Sequence, residues 1–113
     1  MNDQQRTRFG EALQRLGGDE ETMEMMATIV TEDAPKVLER WSDELQAKDL
    51  DAYARTGHAL KGLLSTFETN EPVSRIQPLI DDARKNDVAA VRTSHASVVP
   101  EIDELLSEIS AIL

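Results

Sequence analysis

Apolar residues along this chain recur at spacings of three and four, which is the periodicity of helices that bury one face. No stretch alternates apolar and polar residues as a half-buried strand does, so helices are the predicted element throughout. Pro35 lies inside the longest predicted helix, so we expect a kink or a break near residues 31 to 35. That helix covers about residues 20 to 47, and its apolar stripe comprises Met23, Met26, Ala27, Val30, Ala34, Val37, Leu38, Trp41 and Leu45.

Capping residues, glycines and prolines predict where four more helices begin and end. Asp19 and Asp87 are predicted N-caps, and the pair Gly17 and Gly18 stops the first helix, since paired glycines tolerate a positive φ. Pro78 disturbs the first turns of the fourth helix. The predicted helices besides the longest one cover about residues 3 to 16, 50 to 68, 71 to 85 and 88 to 113.

Short connections between these helices determine the predicted architecture. A loop of two to four residues cannot return the chain to the end it came from, so successive helices should be antiparallel. We therefore expect an all-α fold, an up-down-up-down four-helix bundle with a short extra N-terminal helix. The length of 113 residues fits a single domain spanning residues 1–113.

Composition narrows the classes of partner. The chain has 22 acidic and 12 basic residues, a formal charge of −10, which repels nucleic-acid phosphates and anionic membrane surfaces alike. The absence of cysteine excludes disulfides, thiol catalysis and thiolate zinc sites, and it fits a reducing compartment. The apolar runs are too short for a membrane span or a secretory signal. We expect a cytoplasmic monomer that binds neither nucleic acid nor membrane.

The segment GHALKGLLSTFE, residues 57 to 68, carries the candidate chemistry. On a helical projection its leucine and phenylalanine stripe lies about 140–240° away from His58, so the imidazole should face solvent at mid-helix. Lys61, Gly62 and Ser65 lie on the same side as His58, about one and two turns along. A single exposed histidine is a suitable phosphoryl acceptor, because its neutral imidazole is nucleophilic near pH 7.

The neighbours of His58 fit that chemistry but do not require it. Lys61 could place its ammonium against phosphoryl oxygens, and Ser65 could donate a hydrogen bond to one of them. Gly62 costs about 1 kcal/mol of helix propensity relative to alanine, which suggests a need for space at that position. Spacing alone leaves a second interpretation open, since polar residues one turn apart occur on any solvated helix face.

The run HALKG at residues 58 to 62 resembles the signature of histidine-containing phosphotransfer (HPt) domains, which act in multistep two-component phosphorelays. The resemblance extends from Leu16 through the GGD, EDAP and KDLD segments, and over the last two helices it holds only in pattern. It implies an antiparallel helical bundle in which His58 is phosphorylated, Lys61 steadies the phosphoryl group and Gly62 is the small residue beside it. The run LLSTFE, residues 63 to 68, departs from the family pattern.

The family resemblance also implies partners. Such domains have no kinase activity of their own and no cofactor; they exchange phosphoryl groups with receiver-domain aspartates of response regulators and of a hybrid sensor histidine kinase. Arg55 and Lys61 would make the docking surface locally basic, and Ala54 and Ala59 are the predicted small contact residues.

Two other functions are weighed against this one. The first is a helical adaptor that binds a receiver or kinase domain without carrying phosphate. The second is a metal-binding bundle using His58, His95 and carboxylates, although no ligand-pair spacing such as Glu-x-x-His occurs in the chain. The sequence therefore predicts no metal site, and His95 is expected to be an ordinary surface or boundary histidine.

Overall fold

The computed structural model describes every residue from Met1 to Leu113 and consists of helices joined by short connections. No strand is present, so the prediction of an all-α protein is confirmed. A short 3₁₀ turn, Val73–Arg75, precedes the fifth helix. The helices are α1 (Asp3–Arg8), α2 (Gly10–Arg15), α3 (Glu20–Gln46), α4 (Leu50–Leu64), α5 (Ile76–Arg84) and α6 (Val88–Ser110).

Aspartate side chains begin the three long helices. Asp19 accepts hydrogen bonds from the N–H groups of Glu21 and Thr22, while Asp49 and Asp87 each accept one from the residue three positions on. These bonds satisfy backbone donors that have no partner within the helix. The predicted caps Asp19 and Asp87 are therefore confirmed.

The α2–α3 connection depends on backbone conformations that glycine adopts readily. Gly17 and Gly18 have φ values of +68° and +76°. A side chain at either position would be strained, because the left-handed region disfavours a Cβ atom. The predicted stop of the N-terminal helix is therefore located correctly.

Three predicted helix limits differ from the structure. The N-terminal helix is divided at Phe9, where φ is −108° and the buried ring lies edge-on to Phe67 with 5.6 Å between ring centroids. The helix predicted to reach residue 68 ends at Leu64, and the chain then turns Phe67 into the core. α5 begins at Ile76, which places Pro78 in its first turn, where a missing N–H removes no helical hydrogen bond.

The predicted break at Pro35 is absent. α3 runs without interruption from Glu20 to Gln46, with Pro35 on its exposed side. Proline removes only one hydrogen bond from this 27-residue helix. Seven buried residues on both sides of the proline hold the helix against the core: Met23, Ala27, Val30, Ala34, Leu38, Trp41 and Leu45.

Packing of the four longer helices forms one elongated core. α3 packs against α4 and α6, and α5 packs against the same two helices. The molecule measures 42 × 21 × 20 Å, so its long dimension is close to the length of α3. Trp41 and Tyr53 are fully buried at one level of this core, with stacked rings 4.8 Å apart.

None of the helices combines the length and the apolar composition that crossing a lipid bilayer requires.

Candidate functional site

His58 lies on the solvent face of α4, six residues before the helix ends at Leu64. Its neighbours Gly57 and Leu60 are both buried, so α4 is anchored in the core on the side away from the imidazole. His58 donates and accepts no hydrogen bond within the protein; the histidine hydrogen bonds of this chain all belong to His95. The imidazole is therefore exposed and free of intramolecular hydrogen bonds, on a helix whose opposite face is packed into the core.

Lys61 is half-buried one turn beyond His58 and is held by a neutral group. Its Nζ donates a hydrogen bond of 3.1 Å to Oε1 of Gln77 on α5. Gln77 in turn donates from Nε2 to Oδ1 of Asp81 at 3.0 Å. Every ion pair of the protein involves an arginine or the N-terminal amine, and none involves Lys61. The ammonium thus lies next to the site with its charge unpaired.

Gly62 has no structural need to be glycine. It lies on the exposed face of α4, and a Cβ atom added there would meet no other atom within 4 Å. Gly57, five residues earlier, is the opposite case, since an added Cβ would lie 3.1 Å from both Ile80 Cγ1 and Trp41 Nε1. Packing within the protein therefore requires a glycine at position 57, a requirement that sequence reasoning missed. No such requirement exists at Gly62, where the surface is open to contact with another molecule.

Ser65 follows the last residue of α4, and its hydroxyl is already in use. Oγ donates a hydrogen bond of 2.5 Å to the Lys61 carbonyl, which closes the helix end. The Ser65 and Thr66 carbonyls accept hydrogen bonds from the Arg15 guanidinium at 3.4 and 3.1 Å. In this structure Ser65 therefore acts on the helix terminus, and its hydroxyl would have to rotate to reach a phosphoryl oxygen.

The three residues predicted to contact a partner differ in exposure. Arg55 and Ala59 lie on the exposed face of α4 beside His58. Ala54 is only 3% exposed, so its proposed role as a surface contact is wrong. Ala54 lies four residues after Leu50 and three before Gly57, both of which are buried, and it belongs to that stripe.

His95 differs from the expected ordinary surface or boundary histidine, because it is buried and both of its ring nitrogens are hydrogen-bonded. His95 is 8% exposed, its Nδ1 is hydrogen-bonded to the Tyr53 hydroxyl at 2.8 Å, and its Nε2 to Ser42 Oγ at 3.1 Å. Burial lowers the pKa of His95 and raises the pKa of Tyr53, so both side chains stay neutral near pH 7. With both ring nitrogens engaged in the core, His95 does not join His58 in a shared site.

Gln77 is the residue at the site that sequence reasoning missed. It is separated from Lys61 by sixteen residues and lies on a different helix, so no linear spacing connects the two. The one sequence signal is its position four residues before Asp81, which suits a hydrogen bond along an exposed helix face.

No group of three or more histidine, cysteine or acidic side chains is arranged to hold a metal ion. Comparison of the chain with protein-family models, with curated proteins and with solved structures gave no match. Functional assignment therefore depends on the chemistry of the α4 surface and on the motif that it carries.

Proposed function

We propose that this protein is a phosphoryl carrier of a two-component phosphorelay, in which His58 accepts a phosphoryl group from one receiver domain and passes it to another. The observation that carries the proposal is an exposed histidine without hydrogen-bond partners at mid-helix, with the unpaired ammonium of Lys61 one turn away. The resemblance of HALKG to the HPt signature supports the same assignment.

The proposed transfer is a displacement at phosphorus. The unprotonated ring nitrogen of His58 attacks the phosphorus of an aspartyl phosphate, forming an N–P bond while the P–O bond to the aspartate breaks. The aspartate leaves as a carboxylate, and the imidazole keeps the proton on its other nitrogen and becomes a phosphoimidazolium. Attack by a second receiver aspartate reverses these bond changes. Charge is conserved in both steps, so neither step needs a general base.

The proposed role of Lys61 is to stabilise negative charge on the phosphoryl oxygens during transfer. One of its three N–H donors is bonded to Gln77, which leaves two for the phosphoryl group. The protein as a whole has a charge of −10, but the half-buried Lys61 and the exposed Arg55 place two positive charges on α4 close to His58 in the sequence. The receiver domain supplies the metal and most of the catalysis in this proposal.

We propose an up-down-up-down arrangement of α3, α4, α5 and α6, with the N-terminal helices covering one end. The packing of α3 and α5 against both α4 and α6 supports this arrangement. So do the short turns that follow α3 and α5, where Lys48 and Asn86 adopt positive φ values and reverse the chain. In such a bundle α4 has one free face along its length, on which a receiver domain can approach His58.

The docking surface proposed for the receiver domain surrounds His58 and contains Arg55, Ala59 and Gly62. These residues are exposed, and the empty space above Gly62 admits close approach of a second protein. Docking of this kind needs no second copy of the chain, so we propose a cytoplasmic monomer that serves response regulators and a hybrid sensor histidine kinase in turn.

Phosphoryl transfer from a radiolabelled receiver domain tests the proposal directly. The wild-type protein should take up an acid-labile label and His58→Gln should not, whereas label in both proteins, or in neither, would refute the role of His58. Binding of the receiver domain that persists in His58→Ala without any transfer would instead indicate an adaptor.

Two further variants test the neighbouring roles. Lys61→Ala should slow transfer while leaving the fold intact, because its side chain lies at the surface edge of α4. Gly62→Leu should block docking without unfolding the protein, because Gly62 is exposed and a Cβ atom added there meets no other atom within 4 Å. Unchanged transfer rates in these variants would reject the assigned roles.

A further inference from the structure

The side chain that holds Lys61 is an amide in a protein rich in carboxylates. The chain has 22 acidic residues, and every ion pair it forms uses an arginine or the N-terminal amine. The Lys61 ammonium is instead bonded to the uncharged Oε1 of Gln77 at 3.1 Å. A carboxylate at this position would neutralise the lysine, whereas an amide fixes its direction and leaves the charge available.

The orientation of the Gln77 amide is set by a third residue. Asp81, one turn along α5, accepts a 3.0 Å hydrogen bond from Gln77 Nε2. An ionised carboxylate can only accept, so Asp81 selects the amide rotamer in which Nε2 points to it and Oε1 points away. That rotamer is the one in which Oε1 can accept from Lys61. The two hydrogen bonds therefore form a series with one donor direction: Lys61 on α4 donates to Gln77, and Gln77 donates to Asp81 on the exposed face of α5.

We propose that Gln77 is a positioning residue for phosphoryl transfer, holding the Lys61 ammonium beside His58 with its charge unneutralised. This inference rests on the proposed phosphoryl-carrier function. Gln77 acts through Lys61 and need not touch the phosphoryl group, because one lysine N–H reaches Gln77 and two remain free. Asp81 contributes by orienting Gln77.

Two substitutions at Gln77 separate position from charge. Gln77→Glu places a carboxylate next to the ammonium, which must then leave an ion pair before it can meet the phosphoryl group. For a pair at this partly exposed position the transfer rate should fall about fivefold. Gln77→Met keeps the size and removes the acceptor without adding charge, so the lysine loses its fixed direction. We expect a smaller fall, of about two- to threefold.

The test is a double-mutant cycle on the rate of transfer from a phosphorylated receiver domain. Gln77→Met should slow the otherwise wild-type protein and have no effect when Lys61 is already alanine. Gln77→Glu should slow the Lys61→Ala protein less than the wild type, the remainder being direct repulsion of the phosphoryl group. Equal slowing in both backgrounds would overturn the inference, because a merely structural role of Gln77 does not depend on Lys61.

Two controls make the result unambiguous. Urea unfolding of each variant reports any loss of fold, and Arg84→Met, an exposed position on the same helix, measures the effect of a substitution remote from Lys61. If wild-type protein takes up no label on His58, the proposed function fails and the inference falls with it. If wild type is labelled and both Gln77 variants transfer at the wild-type rate, the inference alone fails.

Discussion

Gly57 and Gly62 lie on one helix but should respond to alanine in opposite ways. At Gly62 an added Cβ meets no atom within 4 Å, so Gly62→Ala gains helix propensity and nothing opposes it. The expected effect is a rise in the free energy of unfolding of about 0.5–1 kcal/mol.

At Gly57 the same substitution meets rigid neighbours. The new Cβ would lie 3.1 Å from Trp41 Nε1 and from Ile80 Cγ1, with Ile80 Cδ1 at 3.5 Å. The indole is fully buried, donates to the Tyr53 carbonyl at 3.1 Å and has the Tyr53 ring stacked on it, so it cannot move without losing these contacts. Overpacking of this kind costs about 1–3 kcal/mol.

The difference between the two variants isolates the packing effect, because both replace glycine by alanine inside α4 and gain about the same helix propensity. Gly57→Ala should therefore be less stable than Gly62→Ala by about 1–3 kcal/mol. Urea unfolding followed by far-UV circular dichroism gives both free energies, provided that the denaturant slopes agree. Equal stability of the two variants, or a more stable Gly57→Ala, would refute the steric argument.

Three more predictions concern the buried His95, the helix cap Asp49 and the ion pairs of Arg8. Because burial lowers the pKa of His95, the unfolded chain binds more protons below pH 6.5 or so; the free energy of unfolding should fall as the pH drops from about 6.5 through the folded-state pKa. Urea unfolding at several pH values checks this, and an equal fall in His95→Gln would contradict it. Asp49→Ala removes the side chain that accepts from the Ala52 N–H at 3.2 Å and should cost about 1 kcal/mol; Asp49→Asn, which can still cap, should cost less in the same assay. Arg8→Met breaks ion pairs to Glu68 and Glu108 at 2.7 and 2.8 Å, and the resulting loss of thermal stability should be smaller at high salt, whereas a salt-independent loss would argue against an ionic contribution.

The helical class, the extent of the longest helix and the exposure of His58 could be predicted because they depend on local periodicity. Residues one turn apart share a helix face whatever the rest of the chain does, so the polar side of α4 was readable from spacing. The same argument identified Asp19 and Asp87 as caps, since a cap acts on backbone groups two or three residues away.

What the sequence did not predict depends on contacts between helices. Ala54 lies about 40° from His58 on the helical projection of α4. Whether a residue at that angle is buried depends on how the neighbouring helices pack, and Ala54 is buried. His95 has polar neighbours along its own helix, yet its partners Ser42 and Tyr53 come from two other helices. The Gln77 contact with Lys61 is of the same kind, since it joins α5 to α4.

The hydrogen bonds of His95 also constrain how the helices can slide past one another. Apolar side chains can interdigitate at more than one axial offset, but the imidazole meets Tyr53 on α4 and Ser42 on α3 at a single offset only. A shift of α6 by one turn would leave the buried His95 and Tyr53 and the half-buried Ser42 without these partners, at a cost of a few kcal/mol. The axial position of α4, and of His58 on it, relative to α3 is therefore set by hydrogen bonds inside the bundle and not only by apolar packing.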